Sequence, residues 1–143
     1  MLFRSNLTED ETVTPLLATS ADEHLAHLSP DGRWLAYTSD ESGRNEIYVR
    51  PFPNVEEGLW QISLDGGEQP LWSRDGQELF FRNGDAMMAV PVRTDADFVH
   101  ERPEVLFTGQ YLLMPGRGGR DYDYDWERER FLMVKQVADT ATA

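Results

Sequence analysis

The sequence HLSPDGRWLAYT at residues 27–38 recurs in altered form as LWSRDGQELFFR at residues 71–82, an offset of 44 residues. A more divergent third copy, YDYDWERERFLMVK, begins at Tyr122 and lies 52 residues after the second. A repeat of about 40–45 residues is typical of a propeller blade with about four β-strands. The positions shared by the first two copies are Ser29 and Ser73, Asp31 and Asp75, Gly32 and Gly76, Leu35 and Leu79, and Tyr37 and Phe81.

Each of the first two copies contains a predicted turn, Ser29-Pro30-Asp31-Gly32 in the first case. Pro presets φ, Asp hydrogen-bonds its own backbone, and Gly accepts positive φ. We therefore expect positive φ at Gly32 and Gly76. Because Ser29 recurs as Ser73, we interpret its hydroxyl as a cap of the turn and not as a nucleophile.

Short apolar runs between turn clusters predict strands throughout the chain, and no segment shows helical periodicity over ten residues. We predict eleven strands in an all-β fold: a partial β-propeller of about two and a half four-stranded antiparallel blades in an open arc. The predicted organisation is an N-terminal tail (1–12), a lone strand left from a preceding blade (13–18), a first blade (22–64), a second blade (67–111, with a fourth strand at 105–111), a Gly-rich loop (112–120), an incomplete third blade (121–136) and a C-terminal tail (137–143).

Recurring apolar positions of the second and third strands predict the core. We expect these residues to be largely buried between blades, and we expect no contact between the strand at 13–18 and the strand at 131–134. The open blade faces would then favour self-association. The predicted core residues are Leu35, Tyr37, Ile47, Val49, Leu79, Phe81, Val90, Phe131 and Met133.

Composition excludes several functional classes. The chain has 143 residues, with 13 Lys plus Arg against 26 Asp plus Glu and a formal charge of −13, which argues against nucleic-acid binding. It has no cysteine, so disulfides, thiolate metal sites and a cysteine nucleophile are excluded, although the compartment is not fixed by this. No apolar run is long enough to span a membrane, and the first ten residues contain no signal-peptide apolar region.

Two groups of residues are candidates for metal binding. Asp121, Asp123 and Asp125 alternate with tyrosines, which predicts three carboxylates on one strand face, either as a Ca²⁺ site or as a polar face. The Ca²⁺ loop pattern fails because Trp126 and Leu132 stand where Gly and Glu are required, so we favour the polar face. His24 and His27 point to opposite faces of a strand and His100 lies in a predicted loop, so we predict no metal ligand among them.

The remaining motifs also favour structural roles. No serine lies in a G-x-S-x-G elbow, and Arg117-Gly118-Gly119-Arg120 is read as a loop rather than a phosphate site. Met87 and Met88 are expected in the core, and the Asn6-Leu7-Thr8 sequon is discounted. We predict no catalytic, cofactor-binding or metal-binding residue and no cofactor. The four tryptophans are expected mainly in blade packing, with one or two as interaction anchors at the ends of the propeller: Trp34, Trp60, Trp72 and Trp126.

The segment from Ser29 to Tyr37 resembles the SPDG-centred repeat of TolB-like propellers, also called PD40 or WD40-like repeats. The stretches at 46–53, 60–63 and 65–67 extend the resemblance, which covers about residues 10–136. The third copy departs from the pattern, because Trp126, Glu127 and Arg128 replace Pro, Asp and Gly, so we expect another type of turn there.

The resemblance implies the C-terminal part of a bacterial multidomain protein whose propeller is often linked to a kinase. The compartment is left open, and an extracytoplasmic location of the full-length protein is one alternative. Such propellers are six-bladed scaffolds that mostly bind proteins. We therefore expect a non-catalytic protein-interaction, sensor or scaffold module with protein partners, no nucleic acid and no membrane contact. The alternatives are an accessory gating propeller of a prolyl-oligopeptidase-like serine peptidase, whose hydrolase domain lies outside this chain, and a propeller enzyme with a metal in its channel.

Overall fold

The protein consists of antiparallel β-sheets in the computed structural model, which describes residues 1–5, 13–114 and 119–135. The all-β fold, arranged as a partial, open propeller-like arc, confirms the predicted fold class. Among these described residues, one 3₁₀ turn spans Val55–Glu57. The strands of the described residues are β1 (Leu2–Ser5), β2 (Val13–Leu17), β3 (Glu23–Leu28), β4 (Trp34–Ser39), β5 (Glu46–Pro51), β6 (Trp60–Gln61), β7 (Glu68–Trp72), β8 (Glu78–Asn83), β9 (Ala86–Arg93), β10 (Val99–His100), β11 (Glu104–Thr108), β12 (Tyr122–Asp125) and β13 (Arg130–Met133).

Two larger sheets form the body of the molecule. The first blade has the strand order β3-β4-β5-β6, and the second has the order β7-β8-β9, with β10 and β11 both paired to β9. A two-stranded sheet lies at each end, β1–β2 before the first blade and β12–β13 after the second. Strands β2 and β13 belong to these separate end sheets and do not pair with each other.

Three apolar layers hold the four sheets in sequence. Between the blades, Trp34, Ile47 and Val49 of the first pack with Trp72 and Leu79 of the second. One further layer lies on the outer face of each blade. The layer between β1–β2 and the first blade contains Leu2, Leu16, Leu17, Leu35, Tyr37, Tyr48, Phe52 and Val55, and the layer between the second blade and β12–β13 contains Leu71, Phe80, Met87, Ala89, Phe107, Tyr122, Tyr124, Trp126, Phe131 and Met133.

Equivalent residues of the three copies face the same way along this stack. Leu35 faces the sheet that precedes its blade, Leu79 faces the first blade, and Phe131 faces the second blade. Side chains alternate between the faces of a strand, so a slip of one residue would reverse this direction. The agreement supports the alignment of all three copies, including the divergent third.

The turns of the first two copies share one hydrogen-bond network. Ser29 Oγ donates to Asp31 Oδ1 at 2.6 Å and accepts from the Trp34 amide at 3.0 Å. Ser73 Oγ donates to Asp75 at 2.7 Å and accepts from the amide of residue 78 at 2.9 Å. The serine hydroxyl therefore caps the turn, as predicted.

The two glycines of these turns are also as predicted. The φ angle is +72° at Gly32 and +73° at Gly76. This left-handed region is open to glycine at little cost.

The third turn differs, as expected. Asp125 takes the serine position and accepts from the amides of Glu127 and Arg128, both at 3.2 Å. Positive φ moves one residue along to Glu129, at +51°.

Most of the predicted core is buried. Phe131 and Met133 are partly buried and pack on the apolar layer between the second blade and β12–β13, so they are less buried than the other seven predicted core residues. They belong to the two-stranded β12–β13 sheet, which packs against the second blade through one of its faces. The confirmed core residues are Leu35, Tyr37, Ile47, Val49, Leu79, Phe81 and Val90.

Two strand assignments also need correction. Residues 2–5 were expected to lie in a tail, with 13–18 as a lone strand, but β1 and β2 pair antiparallel and Phe3 lies opposite Pro15. The fourth strand of the second blade is split, since Val99–His100 and Glu104–Thr108 pair with different parts of β9. His100 therefore lies in a strand and not in a loop. Residues 6–12 and 136–143 lie outside the described residues.

Candidate functional site

The three alternating aspartates do not come together. Asp121 precedes β12, where its carboxylate accepts from Gln69 Nε2 and from the Met114 amide, both at 2.7 Å. Asp123 is exposed and Asp125 caps the third turn. Asp121 therefore bonds to a side chain of the second blade, whereas Asp125 bonds within its own turn. Within residues 1–5, 13–114 and 119–135, no group of three His, Cys, Asp or Glu side chains is placed to hold a metal ion.

The histidines of β3 are separated by a bulge that places Leu25 at a φ of +52°. His27 Nδ1 accepts from the Trp72 amide at 3.1 Å, and the His27 carbonyl accepts from the Trp72 indole at 2.9 Å. Burial first, and the charge of Arg120 second, lower the pKa of His27. The neutral imidazole thus links the two blades. The His24 ring nitrogens are buried and have no hydrogen-bond partner among the described residues.

The other candidates have structural positions. Met87 is buried and Met88 is partly buried, in agreement with core packing. Arg120 lies over the ring of Tyr122, at 5.9 Å from its centroid. The sequon at residues 6–8 and residues 115–118 of the Gly-rich loop lie outside the described part of the chain.

The tryptophans divide between core and surface. Trp34 and Trp72 are buried between the blades, and Trp60 packs on the same cluster with its ring centroid 5.7 Å from that of Trp34. Trp126 lies between the second blade and the β12–β13 sheet, beside Tyr124, at a centroid distance of 4.7 Å. Trp126 is thus the tryptophan that lies outside the cluster between the two blades.

The aromatic cleft is an open depression of about 330 Å³ between the second blade and the β12–β13 sheet. Its aromatic wall is continuous, because the Phe80 and Tyr124 ring centroids are 5.3 Å apart and Trp126 follows edge-on. Carboxylates and one arginine surround this wall. The lining residues are Ser73, Arg74, Asp75, Glu78, Phe80, Tyr124, Trp126 and Glu129.

Electrostatics make the aromatic cleft negative. Hydrogen bonds from the Gln77 amide and from Ser73 lower the pKa of Asp75, so this carboxylate stays ionised. Partial burial raises the pKa of Glu78, and the charge of Asp75 adds to the effect. Partial burial also raises the pKa of Tyr124, with further contributions from surrounding carboxylates that include Glu129. Such a site attracts cations and disfavours anions.

A departure from the repeat coincides with the open cleft between the second blade and the β12–β13 sheet. Glu78 occupies the position that Trp34 holds in the first copy. Trp34 fills the space between the two blades together with Trp60 and Phe98. The ring centroids of Trp34 and Phe98 are 5.2 Å apart. The shorter, charged Glu78 leaves the equivalent space open to solvent. The sequence signal for this site is therefore the difference between the copies at this position, and it belongs to no catalytic motif.

No protein-family model and no curated protein matches the chain. The described residues include no helix with the length and apolar character needed to cross a bilayer.

Proposed function

We propose that this chain is a non-catalytic protein-interaction or scaffold module, built from TolB-like repeats, and that the aromatic cleft binds a basic segment of a partner protein. The observation that carries the proposal is the combination of three aromatic rings with Asp75, Glu78 and Glu129 in one open depression. A Lys or Arg side chain could lie against the rings while its charge faces the carboxylates. A cation over an aromatic face contributes about 0.5–2 kcal/mol, more when water is excluded.

The charge of the whole chain supports a basic partner. At a formal charge of −13, the protein attracts basic segments over several ångströms and repels acidic ones. Arg74 at the edge of the cleft provides a contact for a carboxylate or carbonyl of the same partner. The proposed role is therefore to bind a partner protein, and it includes no catalytic step.

The test uses a labelled Gly-Lys repeat peptide of nine residues, with a Gly-Glu repeat as the control peptide, and measures fluorescence anisotropy. We expect the basic peptide alone to bind, with an affinity that falls as salt rises. Trp126→Ala should weaken binding about 2- to 30-fold, the range of one cation–aromatic contact.

Glu129→Gln separates the cleft from a general charge effect. It should weaken binding about 2- to 5-fold, as expected for one partly exposed ion pair. The matched control is Glu101→Gln, an exposed glutamate outside the cleft, and it should change the affinity less than 1.5-fold, within about 0.2 kcal/mol. Equal losses for the two variants, or equal binding of the acidic peptide, would contradict a specific site.

A further inference from the structure

The aromatic cleft presents ring faces in more than one orientation. The ring planes of Phe80 and Tyr124 are inclined at 33°, whereas those of Tyr124 and Trp126 are inclined at 67°. Phe131 lies edge-on to both Phe80 and Tyr124, with ring centroids 4.9 and 4.7 Å away. These contacts hold the rings in place before a ligand arrives, so binding does not have to order the aromatic wall.

The polar groups beside this wall are already used by the turn of the second copy. Ser73 Oγ donates a hydrogen bond to Asp75 Oδ1 at 2.7 Å and accepts one from the Glu78 amide at 2.9 Å. The same Asp75 oxygen accepts a hydrogen bond from the Gln77 amide at 2.9 Å. The ammonium group of lysine carries three N–H donors, and donors that leave water without new acceptors weaken binding. These atoms therefore favour a cation that has no N–H donor.

The carboxylates of the cleft keep their charge available to a ligand. Within the described parts of the chain, none of Asp75, Glu78 and Glu129 takes part in an ion pair. Their negative charge attracts a cation whether or not its nitrogen is methylated. The carboxylates thus select the sign of the ligand's charge, and the rings select its chemical class.

We propose that the aromatic cleft recognises a quaternary ammonium group, carried by a trimethylated lysine side chain in the basic segment of the partner protein. This inference rests on the proposed function and names the form of lysine that the same site prefers. Methylation keeps the charge of lysine, and full methylation removes every N–H donor. The methyl groups lie against the rings of Phe80, Tyr124 and Trp126, while the charge stays close to the carboxylates.

The first test compares the Gly-Lys repeat peptide with the same peptide in which every lysine is trimethylated, by fluorescence anisotropy. Both peptides carry the same charge, so their general attraction to a chain of formal charge −13 cancels in the ratio of affinities. We expect the trimethylated peptide to bind about 3- to 10-fold more tightly, because its cation contacts the rings without unpaired donors. Equal or tighter binding of the unmodified peptide would overturn this inference and leave the proposed function standing. Failure of both peptides to bind would overturn both.

The second test separates the quaternary group from the peptide by competition. Choline carries this group, and its uncharged carbon analogue has a tert-butyl group in place of the trimethylammonium group. Choline should displace the trimethylated peptide, and the analogue at equal concentration should not, because the ring faces attract the charge. Equal displacement by the two compounds would overturn recognition of the cation. Choline that binds as tightly as the peptide would assign the cleft to a free small molecule and overturn the peptide ligand.

Substitutions at Trp126 test whether a ring face is responsible for the preference. Trp126→Leu keeps an apolar side chain and removes the ring, so the preference for the trimethylated peptide should fall below about 2-fold. Trp126→Phe keeps a ring face and should retain a preference of about 3-fold or more. The matched control Phe3→Leu removes an aromatic ring outside the cleft that is 55% exposed, and it should leave the ratio of affinities unchanged. A full preference in Trp126→Leu, or its loss in Phe3→Leu, would contradict recognition by the aromatic wall.

Discussion

Replacement of Gly32 by valine isolates the backbone cost of the repeated turn. A Cβ atom at Gly32 meets no heavy atom within 4 Å, so a clash contributes nothing. The φ angle of +72° is left-handed, where a β-branched residue is strained by about 1–3 kcal/mol. Loss of glycine also stabilises the protein by about 0.4–1 kcal/mol, because the unfolded chain becomes less flexible. We therefore expect a net loss of about 1–2 kcal/mol in the free energy of unfolding.

The assay is urea unfolding followed by tryptophan fluorescence at one fixed protein concentration. Gly32→Asn should cost less than Gly32→Val, because asparagine tolerates the left-handed region. Gly119→Val is the matched control, since Gly119 is exposed, has no heavy atom near its Cβ position and lies outside the left-handed region. It should change the free energy of unfolding by less than about 0.5 kcal/mol. Equal effects at Gly32 and Gly119 would refute the conformational explanation.

Three further changes test the packing between sheets. Leu79→Ala leaves a cavity at a fully buried site between the blades and should lower the free energy of unfolding in urea by about 2–5 kcal/mol. Leu64→Ala, at an exposed site, should lower it by less than about 0.5 kcal/mol. Similar losses for the two variants would contradict the assigned register. The pKa of His27 is lower in the folded protein than its ordinary value of 6.5, so the unfolded chain binds the proton first and the free energy of unfolding should fall as pH drops below about 6.5 towards the folded-state pKa. His27→Gln should flatten that slope, and an unchanged slope would exclude His27 as its source. Tyr122→Phe removes a buried hydroxyl that donates to the Gln69 carbonyl at 2.6 Å and should cost about 1–3 kcal/mol, with a negligible cost counting against this contact.

The repeat made much of this fold predictable, because a turn and two apolar positions define the direction of a strand. Ser29, Gly32 and Leu35 predict the turn, its glycine and the inward face, and their counterparts in the second copy repeat all three. The pairing of β1 with β2 was missed because LFRS is too short and too polar to indicate a strand. It forms because Leu2 and Leu17 share one face on the first blade.

The candidate site was less accessible to sequence reasoning. The sequence predicts one or two anchors among the four tryptophans without selecting Trp126, and Glu78, which lines the same cleft, lies 48 residues away. Only the stacking of the second blade on β12–β13 brings these two residues to one cleft. The partner of Asp121 was equally inaccessible, because the hydrogen bonds between Gln69 and Asp121 lie between two sheets and no local pattern encodes them.

The central claim is that successive repeat units stack face to face in one order, and aromatic proton contacts in NMR spectra test it most directly. The Trp34 and Phe98 ring centroids are 5.2 Å apart between the first and second blades. The Phe80 and Phe131 ring centroids are 4.9 Å apart between the second blade and β12–β13. We predict nuclear Overhauser cross-peaks for both pairs in the same spectrum. A folded protein that lacks both cross-peaks would contradict the stacked arrangement.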